Sequence, residues 1–109
     1  MKKVFIVLIL LLSSVVCVNA ETKRIVVGNA NAKISIIAYE SLTCSHCADF
    51  HNDVYPKLKK DYIDTGLAKI EFRHFPLNIA ALNASKISQC KNDGKSNILD
   101  ILFLNQQKW

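Results

Sequence analysis

The chain has 109 residues, of which 50% are hydrophobic, and it carries a formal net charge of +5. This positive charge is mild, and the sequence has neither a long basic run nor an interleaving of basic and aromatic residues. Both features are typical of nucleic-acid binding, so we expect no nucleic-acid partner.

Residues 1–20 predict a secretory signal peptide. A short basic start is followed by the apolar run of residues 4–12 and by small residues that end at Ala20. We predict cleavage after Ala20, which leaves residues 21–109 as one domain and makes the protein periplasmic or otherwise exported. An uncleaved membrane anchor is the alternative, and the shortness of the apolar run disfavours it. Export implies an oxidising compartment, in which disulfides form and persist.

Strands and a helix alternate in the first part of residues 21–109. Residues 24–27 fit a short strand, and the β-branched residues 34–39 predict a strand buried on both faces. A helix of residues 48–64 follows, and then residues 69–75 alternate as in a strand. The apolar stripe of the helix is formed by Cys47, Phe50, Val54, Leu58 and Tyr62. Strand, helix and strand predict a parallel βαβ unit.

Local signals mark where the predicted helices bend, begin and end. Pro56 lacks a backbone donor, so we expect a kink near residues 52–55, and Gly66 ends this helix. Asn78 caps a second helix that runs to about Cys90. Its apolar stripe is formed by Ala80, Ala84, Ile87 and Cys90 or Lys91. A third helix, capped by Ser96 and rich in Leu and Ile, runs towards Trp109 without a stop signal, and we expect the domain to be interrupted there.

Cys44 and Cys47 lie two residues apart, where the predicted strand passes into the predicted helix. A pair at this spacing can close a small disulfide with little rearrangement of the chain. A helix N-terminus exposes unpaired N–H groups and carries a partial positive charge, and both stabilise a thiolate on Cys44. The thiolate is the reactive species, and His46 can add a donor or a positive charge. The pattern favours redox chemistry.

Other interpretations of the cysteines remain open. Without the signal peptide three cysteines remain, an odd number that does not suit a disulfide-stapled scaffold. Cys44 and Cys47 can form a static structural disulfide or stay as two unreactive thiols. A zinc site would take its ligands from Cys44, Cys47, His51 and Cys90, although a second close pair is lacking. A c-type haem needs His directly after the second cysteine, where this chain has Ala48.

The other polar residues near the pair have simpler interpretations. We expect Glu40 to be an exposed loop carboxylate, and His51 and His74 to be structural or surface residues. Cys90 is expected to be a small buried apolar residue.

The sequence resembles the DsbA-like branch of the thioredoxin superfamily from about Val27 to Trp109. The stretches that carry the resemblance are Gly28-Asn29-Ala30-Asn31-Ala32, the strand of residues 34–39, Cys44-Ser45-His46-Cys47-Ala48-Asp49-Phe50-His51, Phe72-Arg73-His74-Phe75-Pro76-Leu77 and Phe103 with Gln106-Gln107-Lys108-Trp109.

The resemblance implies an α/β thioredoxin-like fold and thiol–disulfide exchange on exported proteins. Cys44 matches the exposed nucleophile, Cys47 the buried resolving cysteine and His46 the activating histidine, with a redox disulfide between Cys44 and Cys47. It implies no metal and no organic cofactor. The implied partners are exported thiol-containing substrate proteins and a membrane or soluble redox partner.

One departure from the family pattern affects the expected fold. Members of the family have a later loop with a cis-proline that faces the cysteine pair, followed by two strands and a helix. The two prolines of this chain, Pro56 and Pro76, do not occupy that position. We therefore expect an N-terminal βαβ unit with part of a helical insert, a missing C-terminal ββα half and an exposed edge on the strand of residues 34–39. A non-catalytic fragment of such an enzyme is the alternative function.

Overall fold

The computed structural model describes residues 21–109. The predicted signal peptide, residues 1–20, lies outside the described residues. Within residues 21–109, none of the helices has the length and apolar character needed to cross a membrane.

Three strands form one mixed sheet. They are β1 (Ile25–Gly28), β2 (Ile34–Glu40) and β3 (Ala68–His74), in the spatial order β1-β3-β2. β2 runs parallel to β3, with Ile36 opposite Ile70, and β1 pairs antiparallel with β3 on its other side. The parallel β2 and β3 strands, joined through a helical segment, confirm the predicted βαβ unit.

The helical segment between β2 and β3 is continuous but irregular, and we call it the long helix. It consists of α1 (Ser45–Asp49), a π-helical segment (Phe50–Val54), α2 (Tyr55–Leu58) and a second π-helical segment (Lys59–Ile63). The remaining elements are α3 (Ile79–Ser88), α4 (Asn97–Leu104) and a short 3₁₀ turn (Gln106–Lys108).

β2 lies at the edge of the sheet formed by the described residues, as expected for a strand that pairs only with β3. Its apolar side chains Ile34, Ile37 and Tyr39 are 45–62% exposed, so the prediction that both faces of this strand are buried is wrong here. The central strand β3 is the buried one, because neighbours cover it on both sides. Ile70 is fully buried and Phe72 is 3% exposed.

The buried face of the long helix differs from the predicted stripe. Val54 and Tyr62 are about half exposed, whereas Tyr55 and Ile63, each one residue later, are buried. The Tyr55 N–H bonds to the Phe50 carbonyl, five residues back, which is the π-helical pattern. Each such turn takes in an extra residue and advances the buried face. The π-helical segment Phe50–Val54 overlaps the region near residues 52–55 where Pro56 predicts a kink.

Two helix ends follow the predicted signals. The Asn78 side chain caps α3 by accepting a hydrogen bond from the Ala81 N–H at 2.8 Å. Gly66, which follows the long helix, has φ +81°, a left-handed conformation that favours glycine. Ser96 precedes α4 as predicted, but its hydroxyl donates to Asp100 at 2.8 Å instead of capping a first-turn N–H.

The predicted apolar stripe of α3 is wrong, and with it the burial of Cys90. The buried residues of α3 are Ala81, Ala84, Ser85 and Ser88. The two serines are tolerated inside because their hydroxyls donate to main-chain carbonyls, at 2.8 Å and 2.7 Å. α3 ends at Ser88, so Cys90 lies beyond it and is exposed.

Candidate active site

Cys44 is the N-cap residue of α1, as its position between strand and helix predicts. Its backbone is extended, with φ −87° and ψ 120°, and its carbonyl accepts the first helical bond from the Ala48 N–H at 3.2 Å. The Cys44 N–H donates to the Ser41 carbonyl at 3.0 Å, which closes the turn after β2. The cysteine therefore faces the open N-terminal end of a helix.

The environments of the two cysteines differ in a way that separates their reactivities. The pKa of Cys44 is lowered, first by the backbone N–H of Cys47, then by the Cys47 thiol, and also by the backbone N–H of His46. The pKa of Cys47 is raised, first because burial disfavours its thiolate. Both cysteines, and Cys90, are thiols in this structure.

His46 acts on Cys44 through its main chain. Its ring is 94% exposed and lies 3.6 Å from the Asp49 carboxylate, measured from Nδ1 to Oδ2. The backbone N–H of His46 helps to lower the pKa of Cys44, whereas the charge of Asp49 raises it. The histidine is thus in the predicted place, with its imidazole free to face a bound partner.

A charge cluster lies behind the cysteine pair and consists of the buried Glu40 and His51 and the half-buried Asp100. Nε2 of His51 is 2.9 Å from Glu40 Oε2, and its Nδ1 is 3.6 Å from Asp100 Oδ1. Burial by itself disfavours the charged ring, but the nearby carboxylates of Asp100 and Glu40 outweigh it and raise the pKa of His51. The cluster joins the end of β2, the long helix and α4.

The expectation that Glu40 is exposed is wrong, since Glu40 is 5% exposed. The alternation of β2 carries the signal that identifies it. Ile36 and Ala38 pack against the core, and Glu40 continues the same face two residues further on. His51, expected to be structural or at the surface, is buried and stacks on Phe103 with 4.1 Å between ring centroids.

A shallow groove of about 270 Å³ adjoins the pair. It is lined by Ala38, Tyr39, Glu40, His46, Cys47 and Phe50. The groove opens along the edge strand β2, so the backbone groups of β2 and the sulfur of Cys47 lie at the same surface.

The four ligands of the zinc interpretation are not brought together. Within residues 21–109, no group of three or more His, Cys, Asp or Glu side chains is placed to hold a metal ion. His51 is engaged with Glu40, and the thiol of Cys90 donates to the Lys86 carbonyl at 3.4 Å. His74, the third histidine, hydrogen-bonds Ser88 at 2.7 Å, away from the cysteine pair.

Comparison with known proteins places this site in a family. A family model described as Thioredoxin matches residues 20–109. A Rickettsia bellii protein named as a protein-disulfide oxidoreductase is 41% identical over 86 residues, which cover 77% of this chain and 33% of that protein. The chain therefore spans about a third of the length of the curated relatives it matches.

Solved structures show the same relationship. The crystal structure of Wolbachia pipientis alpha-DsbA1 has a TM-score of 0.73 and 41% identity, covering 79% of this chain and 44% of that one. The oxidised structure of BdbD from Bacillus subtilis has a TM-score of 0.63 and 25% identity, covering 79% of this chain and 51% of that one. The chain belongs to the thioredoxin family, as a DsbA-like member.

Proposed function

We propose that the chain is a thiol–disulfide oxidoreductase for exported proteins, with Cys44 as the nucleophile and Cys47 as the resolving cysteine. The observation that carries the proposal is the opposite effect of the site on the two thiols. Backbone N–H groups lower the pKa of Cys44, and burial raises that of Cys47. A thiolate forms more readily on the cysteine nearer the surface, where a substrate can reach it.

The chemistry follows from this asymmetry. The Cys44 thiolate attacks a substrate disulfide, so that a mixed disulfide forms and one substrate thiolate leaves. Cys47, once deprotonated, attacks Cys44 Sγ, closes the Cys44–Cys47 disulfide and releases the second substrate thiolate. Two electrons pass from the cysteine pair to the substrate. Reversal of the same steps oxidises a substrate dithiol, and neither direction needs a metal or an organic cofactor.

The partners of this reaction are exported proteins with thiols or disulfides, together with a membrane or soluble redox partner. The redox partner returns the cysteine pair to its starting redox state. The groove beside Cys47 suits a substrate segment, because it adjoins the proposed resolving cysteine. His46 borders the same groove, and its backbone N–H helps to lower the pKa of Cys44.

The experiment is to trap the mixed disulfide with the full chain. Cys47→Ser removes the resolving thiol, so the covalent adduct with a disulfide-containing substrate such as insulin should accumulate on non-reducing gels. Cys44→Ser should form no adduct, and Cys90→Ser should behave as the parent does. An adduct that persists in Cys44→Ser, or that fails to form in Cys47→Ser, would contradict the assignment of the two cysteines.

Export is the second part of the proposal, supported by the basic start and apolar run of residues 1–20. Residues 21–109, which carry the cysteine pair, then remain after cleavage. Mass spectrometry of the exported protein should find Glu21 at the N-terminus. Intact Met1 in the membrane fraction would show that the segment stays attached as an anchor.

A further inference from the structure

Gln106 joins the 3₁₀ turn after α4 to the loop that carries Cys44. Its side-chain Nε2 donates two hydrogen bonds, to the Leu42 carbonyl at 2.9 Å and to the Cys44 carbonyl at 3.0 Å. These carbonyls are more than sixty residues away along the chain. The side-chain amide of Gln106 therefore binds the carbonyls of the two residues that flank Thr43 in the loop, Leu42 and Cys44.

The turn that presents Gln106 is itself held in place. The Asn105 side chain donates to the Ile101 carbonyl at 2.9 Å, and the Lys108 N–H donates to the Asn105 carbonyl at 2.8 Å. The Trp109 ring N–H donates to the Leu102 carbonyl at 3.0 Å. The amide of Gln106 thus reaches the loop from a turn that is fixed to the end of α4.

The loop is also held on its opposite side. Asn78, the cap of α3, donates from its side chain to the Thr43 hydroxyl at 3.0 Å, and the Leu77 N–H donates to the Ser41 hydroxyl at 3.4 Å. Leu42 is fully buried, so its carbonyl needs a partner within the protein, and Gln106 supplies one. Loss of Gln106 leaves the loop with its bonds to Leu77 and Asn78, and leaves Cys44 with only the bonds to Ser41 and Ala48 in its own turn and helix.

The position of the Cys44 peptide matters for its sulfur. The N–H groups that stabilise the Cys44 thiolate belong to His46 and Cys47, in the first turn of α1. A rotation of the Cys44 peptide moves the sulfur relative to these donors, and hydrogen bonds weaken steeply as their geometry worsens. The Cys44 carbonyl, which accepts a hydrogen bond from Gln106, is part of this peptide group.

We propose that Gln106 is a positioning residue for the cysteine pair, because its two hydrogen bonds fix the loop that presents Cys44 at the start of α1. The role in catalysis rests on the proposed function, whereas the effect on the thiol is a property of the chain alone. Gln106 touches neither the substrate nor the sulfur and acts through the loop.

The test measures the pH profile of Cys44 alkylation by iodoacetamide in the full chain. Tandem mass spectrometry of the tryptic peptide of residues 34–57 assigns the label to Cys44 or Cys47. Gln106→Met removes the amide, and Gln106→Glu keeps the shape of the side chain but lacks the donors. Gln107→Met is the matched control, because Gln107 is exposed in the same turn. Far-UV circular dichroism is recorded for each protein.

We expect both Gln106 variants to retain the far-UV spectrum and to alkylate Cys44 about threefold more slowly at pH 6, a rise of about half a unit in the midpoint. Gln107→Met should match the parent. Equal midpoints in all four proteins would overturn the proposal. A rise that comes with loss of the far-UV spectrum in both Gln106 variants would also overturn it, since Gln106 would then serve the whole fold.

This readout separates the inference from the proposed function. Alkylation needs no exchange partner and reports only the thiol. A parent chain that shows the Gln106 effect but forms no mixed disulfide with insulin would contradict the proposed function and support the role of Gln106.

Discussion

Cys44 lies at the N-terminal end of one helix and Cys90 lies just beyond the C-terminal end of another, and their surroundings differ accordingly. Cys44 is the N-cap residue of α1, and the main-chain N–H groups of Cys47 and His46 in the first turn lower its pKa. Cys90 follows the C-terminal end of α3, where its thiol donates to the Lys86 carbonyl. A helix N-terminus stabilises a negative charge and a C-terminus does not, so we expect the same residue type to act as a nucleophile at one end and as a simple donor at the other.

The two ends also differ in what supports them. Behind Cys44 lie the buried Glu40 and His51, and the loop before it is tied on both sides by hydrogen bonds. The segment around Cys90 is exposed, and its neighbour Asn92 has φ 45°. A reactive thiolate needs fixed donors, and only the Cys44 end has a scaffold that can hold them.

The two cysteine sites should differ most in how far the free energy of unfolding falls when a neighbouring side chain is truncated. Glu40→Ala leaves the charge of His51 buried without its closest partner, which costs roughly 3–5 kcal/mol for a broken buried pair. Lys91→Ala, beside Cys90 and exposed, should change the free energy of unfolding by less than about 0.5 kcal/mol. Urea unfolding followed by circular dichroism measures both. Equal midpoints for the two variants would mean that the Glu40–His51 pair does not support the Cys44 end.

The next difference is in thiol reactivity. We expect Cys44 to be alkylated faster than Cys90 at pH 6, because a lowered thiol pKa leaves more of Cys44 as the reactive thiolate at that pH. Cys47 should be slower than Cys44, since burial raises its pKa. Mass spectrometry of the labelled peptides gives the order. Cys90 is the most exposed of the three thiols. If it reacted fastest, exposure and not helix-end electrostatics would govern the alkylation rates.

A smaller effect concerns the pH dependence of stability at the Cys44 end. Because the folded state raises the pKa of His51, the stabilisation from its protonated ring is fully present below about pH 6.5 and is lost as the pH rises through the folded value. The difference in unfolding free energy between the parent and His51→Gln should therefore shrink from pH 6 to pH 8.5. His74, whose pKa burial lowers, titrates in the opposite sense in both proteins and cancels. A constant difference across this range would show that His51 does not change its protonation there.

The smallest effect, on the pKa of Cys44, should come from removing the His46 side chain, because the contribution of His46 includes its backbone N–H, which remains. His46→Ser removes the exposed ring but keeps the backbone N–H, so the pKa of Cys44 should rise by only a few tenths of a unit, less so in high salt. Asp49→Asn should lower it, because the charge of Asp49 raises the pKa of Cys44. The alkylation midpoint of Cys44 measures both. A rise of a full unit or more in His46→Ser would mean that the imidazole, not the helix N-terminus, dominates the activation.

Much of the local structure follows from the sequence because its causes are local. The alternation of β3, the cap at Asn78, the stop at Gly66 and the place of Cys44 at a strand-to-helix junction each depend on a few neighbouring residues. The lowered pKa of Cys44 likewise depends mainly on the first turn of one helix. The family resemblance rests on the same short motifs.

Only the tertiary structure decided which faces are buried and which distant groups meet. The stripe of the long helix is displaced because π-helical turns take in extra residues, and α3 buries serines because main-chain carbonyls satisfy their hydroxyls. The contacts of Glu40 with His51 and of Gln106 with the Cys44 loop join residues from different elements, and no local pattern encodes such a distance. Hydrophobic periodicity reports the average preference of a face, whereas the burial of a polar group depends on partners that the folded chain brings to it.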